Sequence, residues 1–204
     1  MNENVNNKMN RILERGHKKL FLAIFLGAFF AQAYGQVDTM PKADGLYGYM
    51  EVISVDSLNK DALFNNAKTF FVDVFKSAKD VIQYEDKPEG KIIGKGLITV
   101  TGNQNKVMGQ SWERKIKAYF SIEILCKDNK YKYRIYDITL KSYDQYTSRE
   151  KAPIVNDQTF ETLIEDSNKG TYKKATSEAY PKLLTEFKNI VAQLKLYMVK
   201  KSDW

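Results

Sequence analysis

Between Lys115 and Cys126 the chain alternates with period two. Ile116, Ala118, Phe120, Ile122, Ile124 and Cys126 share one parity; Lys115, Lys117, Tyr119, Ser121 and Glu123 share the other. Successive side chains point to opposite sides only in an extended strand, so this run predicts a half-buried β-strand. A strand of this kind needs neighbours on its edges and cover on one face. Cys126 continues the apolar row, which predicts a small buried hydrophobe and not a reactive thiol.

Other segments supply the neighbours and the cover. Tyr47–Val55 reads as a strand with apolar residues on both parities, hence a well-covered one. Asn59 is a suitable N-cap, Asp61 sits in the first helical turn, and Leu63, Phe64, Ala67, Phe70, Phe71, Val74 and Phe75 recur at three- and four-residue spacing, the stripe of an amphipathic helix. Lys68, Asp73 and Lys76 lie off that stripe. Val81–Asp86 and Lys91–Val100 predict a hairpin turned by Asp86-Lys87-Pro88-Glu89-Gly90. Gly94 and Gly96 share a parity with Ile92 and Ile98, which marks a bulge or a close crossing by another element. Gly102–Gly109 reads as a polar connection. Asp128-Asn129 turns the chain into a strand over Tyr131–Leu140, whose apolar parity switches near Tyr136-Asp137 and so predicts a bulge there. From Ser142 to Ala179 the pattern dissolves into a long polar connection, with a short helix over Thr159–Glu165. Such a connection is uncommon in a compact domain and is often functional. Pro181 then opens a C-terminal helix with Leu184, Phe187, Ile190, Val191, Leu194 and Met198 as its stripe, and 200–204 form a tail.

The N-terminal region places the chain. Lys18-Lys19 precede an apolar run, Leu20–Phe30, followed by Ala31-Gln32-Ala33-Tyr34-Gly35. A basic region, a short apolar core and small residues make a secretory signal, expected over 1–35, with cleavage after Gly35 or, alternatively, Ala33. A membrane span needs about 20 apolar residues, so no stable span is expected after cleavage. No cysteine lies near the site, which argues against a lipid anchor. Met9 is an alternative start. Residues 36–46 read as a linker, with Pro41 and Gly45 as breakers, and 47–199 as one α+β domain. The chain has one histidine, His17, and it lies in the leader. From residue 36 on there are 27 basic and 23 acidic side chains, a balance of +4. That mild excess, spread along the sequence, is not the footprint of a nucleic-acid binder. The expected location is the periplasm or the exterior.

One antiparallel sheet with helices on one face, in the order β-α-β-β-β-β-α, satisfies all these patterns. The run Ser77-Ala78-Lys79-Asp80-Val81-Ile82-Gln83 with Gly90-Lys91-Ile92-Ile93-Gly94-Lys95-Gly96, together with the early strand, the aromatic helix and Tyr131-Lys132-Tyr133, resembles an exported bacterial domain-of-unknown-function family described as having a TBP-like fold. The resemblance covers about Gly48 to Tyr143. It implies a fold and a location, and brings no activity or site residues. A DNA role does not follow, since the TATA-binding saddle uses two repeats and minor-groove wedges.

No motif for catalysis stands out, and neither an enzyme activity, a metal nor a cofactor is expected. Gly90–Gly96 has neither the spacing nor the strand-to-helix setting of a phosphate loop. Asp80, Glu85, Asp86 and Glu89 lack calcium-loop spacing and are interleaved with Lys79, Lys87 and Lys91, as in a solvated turn. Ser111 and Ser121 have no histidine to activate them, and no motif marks a Ser-Lys pair. Two functions remain. The first is a non-enzymatic interaction module for an envelope protein or other envelope component, contacting it through the sheet, the Ser142–Ala179 connection or a tyrosine surface of Tyr131, Tyr133, Tyr136, Tyr143 and Tyr146. The second is a carrier of a small apolar ligand, held between the C-terminal helix and the sheet by Phe70, Phe71, Phe75, Phe187 and Met198.

Overall fold

The computed structural model describes residues 39–75, 81–107, 110–146, 154–169 and 173–200, with the backbone alone at 104–107, 110–112, 145–146 and 154. The expected signal segment and Ser77–Asp80 lie outside the described residues. In chain order the elements are the strands β1 (Lys42–Ala43), β2 (Leu46–Tyr47) and β3 (Tyr49–Ser54), helix α1 (Lys60–Phe75), strands β4 (Ile82–Asp86), β5 (Lys91–Val107), β6 (Gln110–Lys127), β7 (Lys130–Tyr146) and β8 (Ile154–Gln158), and helices α2 (Phe160–Asn168) and α3 (Lys173–Met198). Six strands make one antiparallel sheet, β3-β7-β6-β5-β4, with β8 beside β7 on the same edge as β3 but farther along. Helices α1 and α3 pack on one face of this sheet and α2 packs on α3. The α+β class and the main antiparallel sheet with helices on one face are as the sequence predicts, and β1–β2 forms a second, two-stranded sheet.

The alternating run builds the centre. Ile116, Ala118, Ile122, Ile124 and Cys126 are fully buried and meet the apolar row of β5 from Ile92 to Val100. Helix α1 begins where expected: the Asn59 side-chain oxygen accepts the Ala62 amide at 2.8 Å, and Asp128 accepts the Lys60 amide at 2.8 Å. The β6–β7 turn therefore caps the helix as well as reversing the chain. Its Asn129 takes φ 61°, which asparagine tolerates better than most residues. The β4–β5 turn ends on Gly90 at φ 70°, with Asp86 accepting the Glu89 amide. Side chains on Gly94 and Gly96 would collide with the rings of Phe71 and Phe120, so these glycines mark a close crossing by α1 and by a neighbouring ring. The parity switch in β7 is a bulge. Tyr119 pairs with Thr139 and Ser121 with Tyr136, so Asp137 and Ile138 together oppose Phe120, and Asp137 takes φ 54°.

Five expectations are corrected. Residues 42–47 are a hairpin and not a linker; Asp44 and Gly45 make the turn at positive φ. Strand β3 is an edge strand with one open face, Met50 and Val52 standing exposed, because its second apolar parity has no helix over it. Residues 102–107, expected in a polar connection, are strand, since the β5–β6 ladder runs from Lys91↔Leu125 to Val107↔Gln110. The Ser142–Ala179 stretch is mostly regular structure: the end of β7, then β8, α2 and the start of α3. Helix α2 is fixed by Thr159, whose hydroxyl accepts the Thr162 amide while Thr162 accepts the Thr159 amide. Finally, Pro181 lies inside α3, eight residues past its first residue. Ala175, Thr176, Ala179 and Tyr180 carry the buried stripe back beyond it.

Candidate functional site

The helices leave the other face of the sheet open. Among the described residues no helix lies on it. Strand register orders its side chains in rows. One row runs Val52–Lys132–Leu125–Lys91–Asp86; the next runs Met50–Arg134–Glu123–Ile93–Tyr84. Beyond these come Tyr136–Ser121–Lys95, then Thr139–Tyr119–Leu97, Asp157–Lys141–Lys117–Thr99 and Val155–Tyr143–Lys115–Thr101. Ser54–Lys130–Lys127 closes one end and Glu113–Asn103 the other. The face thus carries nine cations (Lys91, Lys95, Lys115, Lys117, Lys127, Lys130, Lys132, Arg134 and Lys141) and four carboxylates (Asp86, Glu113, Glu123 and Asp157), a balance of +5. The chain from residue 36 on has +4 in total. The open face is thus cationic by register, and helix α3 carries a further five lysines against two glutamates on the covered side. Three of the carboxylates are engaged locally, Glu123 with Lys91 at 3.2 Å, Glu113 with Lys115 at 2.9 Å and Asp157 with Lys141 at 3.7 Å.

The tyrosine group is divided by the strand. Tyr131 and Tyr133 are 1% and 2% exposed, on the helix-covered face, and belong to the core instead of a surface. Burial pushes the Tyr131 phenol up to about 12; burial and a 3.0 Å bond to Glu51 raise that of Tyr133 further. The same Glu51 carboxyl is held below its ordinary range, first by the Lys195 ammonium at 2.6 Å. Tyr136 and Tyr143 lie on the open face, where Arg134 sits 4.1 Å from one ring centre and Lys117 4.7 Å from the other. The side chain of Tyr146 lies outside the described residues.

The five aromatic and methionine positions expected to line a ligand space are brought together under α3 and are core. Phe70, Phe71, Phe187 and Met198 are fully buried and Phe75 partly so. Ring centres lie 5.3 Å apart for Phe70–Phe71, 6.0 Å for Phe71–Phe75 and 5.1 Å for Phe120–Phe187, the spacing of rings in contact. A cleft of about 610 Å³ opens elsewhere, at the edge of the sheet, and none of these five lines it. Outer-edge pairing of β7 stops at Ile135, opposite Tyr49, and resumes at Leu140, opposite Gln158. The cleft occupies this gap, between Leu46 and Tyr47 of the small hairpin, the bulge at Asp137-Ile138 and the start of α2 at Phe160.

A buried ion cluster was not foreseen. Arg114 holds both oxygens of Asp144, at 2.6 and 3.0 Å, and reaches Asp166 and Thr176 at 3.0 Å each. Gln158 donates to the same Asp166 oxygen. Burial opposes the guanidinium charge, but the carboxylates more than offset it. The cluster joins β6, β7, β8, α2 and α3, and its geometry is structural. Its signal was parity: Arg114 continues the inward row of β6 by one step.

Cys126 is fully buried, and burial pushes its thiol up to about 12, far from a thiolate. Among the described residues no three His, Cys, Asp or Glu side chains stand where they could hold a metal ion. Asp86 is occupied by the Glu89 amide and Glu85 by Lys68, as in the charged turn expected; Asp80 and the Ser111 side chain lie outside the described residues. No described helix is long and apolar enough to cross a membrane.

An open-faced antiparallel sheet packed by helices on one side defines a TBP-like α+β protein, and two solved structures share it. A TBP-like protein from Parabacteroides distasonis aligns over 80% of this chain and 99% of its own at 15% identity, with a TM-score of 0.55. A DUF4468 family protein from Bacteroides ovatus aligns over 82% of this chain and 95% of its own at 13% identity, with a TM-score of 0.53. The family model for a domain of unknown function (DUF4468) with TBP-like fold matches residues 49–141 of this chain. Among curated proteins, none matches the chain.

Proposed function

We propose that this protein is an exported, non-enzymatic binding module of the cell envelope and that the open face of its sheet is the contact surface. The observation that carries this reading is the concentration of charge and apolar side chains on the one sheet face without helical cover. Six exposed large apolar residues, Met50, Val52, Tyr84, Leu97, Tyr119 and Val155, stand among the nine cations. A monomeric soluble surface seldom gathers apolar side chains this way without a partner. The Leu20–Phe30 signal pattern supports export. The test is photo-crosslinking in the native host, with a benzophenone amino acid at Leu97 or Tyr119 and, as control, at Leu196 on the outer side of α3, itself 66% exposed. Discrete envelope adducts are expected from the two sheet positions and not from Leu196. Adducts equal from all three would refute the assignment.

The carrier reading survives in altered form. The edge cleft, at about 610 Å³, falls within the range of about 300–1,000 Å³ usual for small-molecule sites. Native mass spectrometry of the protein from its own envelope would detect a bound molecule. Loss of that adduct on Phe160→Asp, with retention on Lys95→Glu, would assign the ligand to the cleft.

A further inference from the structure

We infer that the open face docks on a lipid surface bearing anionic headgroups. This rests on the binding-module reading above and names its partner. The first argument is charge complementarity. The face gathers nine cations against four carboxylates, +5 on one side of the sheet, where helix α3 on the other side carries five lysines against two glutamates, +3. An anionic surface attracts such a face.

The second argument is the kind of cation. Eight of the nine are lysines and one is arginine. Protein–protein interface cores favour arginine, which forks onto carboxylates, and are depleted in lysine. Lysine is a hydrated point charge on a flexible stem, suited to a diffuse field of headgroups that offers no fixed geometry. The third argument is arrangement. The charges are laid out over successive rows of a sheet, with Val52, Leu97, Tyr119 and Val155 between them, and of the nine cations only Lys141 lines the edge cleft. Lysine stems and short apolar side chains interleaved in this way place apolar atoms at the headgroup boundary while the ammonium groups reach the phosphates. A groove for a single polymer strand or a pocket for one acidic side chain would concentrate the cations instead.

The test uses the protein isolated from the cells that make it and sedimentation with vesicles of phosphatidylcholine alone or mixed equally with phosphatidylglycerol. Lys95, Lys127 and Lys132 lie on the open face and, among the described residues, pair with no carboxylate. The variant Lys95→Glu/Lys127→Glu/Lys132→Glu is compared with Lys87→Glu/Lys173→Glu/Lys174→Glu, which makes the same change in net charge away from the face. Binding is expected only to the anionic vesicles and to weaken as salt is raised. The face variant should lose at least about 100-fold in partitioning, from roughly 1 kcal/mol per lysine near a charged surface, and the control should lose far less. Equal binding to both kinds of vesicle, equal loss in the two variants, or no binding at all overturns the inference. Its failure is separable from that of the wider reading. Crosslinks from Leu97 and Tyr119 to a protein or glycan, without vesicle binding, would leave a binding module with a different partner. Failure of both experiments removes both.

Discussion

Arg114 and Asp144 put a salt bridge where a strand would usually put leucine. Both are on the helix-covered side of the sheet, at 4% and 2% exposure. Removing one partner leaves the other charge buried without compensation, which typically costs about 3–5 kcal/mol. Asp144→Ala is therefore expected to destabilise the fold by about that amount in urea unfolding, more than a Leu194→Val change in the same core. A loss below about 1 kcal/mol would mean that Asp166 and Thr176 hold the guanidinium by themselves. The buried acids with raised pKa give a second prediction. Cys126 moves from 9.0 to about 12 and Tyr131 from 10.0 to about 12, with Tyr133 raised as well. Below the unfolded values these groups are protonated in both states and their contribution is intact. Above them the unfolded chain ionises while the folded one does not, so stability should fall as pH rises from 9 toward 12. Denaturation midpoints across that range would show it, and Cys126→Ala should flatten the early part of the decline. At this scale the sequence was half legible. Parity predicted Cys126 as core, whereas the tyrosines could be sorted only once the bulge fixed which face each one took.

Elements were legible where one face was apolar and obscure where it was not. Residues 103–113, Asn-Gln-Asn-Lys-Val-Met-Gly-Gln-Ser-Trp-Glu, have no apolar row, so the adjoining ends of two long strands go unmarked and Gly102–Gly109 reads as a polar connection. The start of α3 was missed because its buried stripe is made of Ala175, Thr176 and Ala179, which carry almost no hydropathy signal, and because Pro181 resembles a helix opening. Small residues are required there. A side chain on Gly102 would run into the backbone carbonyl of Ala175, so β5 and α3 touch main chain to main chain. Gly102→Ala should therefore push the helix off the sheet and cost about 1–3 kcal/mol, as overpacking does. Backbone cannot rotate away as a ring can, so Gly96→Ala, which meets the Phe120 ring, should cost less. Paired thermal unfolding of the two variants tests the order.

At the level of the whole molecule the fold class could be anticipated, but the order of strands in the sheet and the polarity of its surface could not. A count of 27 basic against 23 acidic side chains carries no geometry. Only the register of β3, β7, β6, β5 and β4 collects lysines far apart in sequence onto one face. Stability should be graded accordingly. The three long strands β5, β6 and β7 hold the most paired backbone and the most buried side chains, whereas the β1–β2 hairpin is two residues on two. Hydrogen exchange is expected to be slowest across Ile116–Ile124 and fastest at 42–47, with β3 between. Exchange in β3 as slow as in β6 would mean that the edge unfolds only with the whole.

The placement of β3 has a consequence for the order of assembly. Strands β4 to β7 follow one another as hairpins, and each can zip onto the last by closing a short loop. Met50, by contrast, pairs with Arg134, 84 positions later, and among the described strands β3 has β7 as its one neighbour in the sheet. Closing so long a loop has an entropic cost that is recovered only after β7 is itself in place. The first strand of the sheet in the chain is thus the last to find a seat, and until then its apolar, nearly uncharged edge is without a mate.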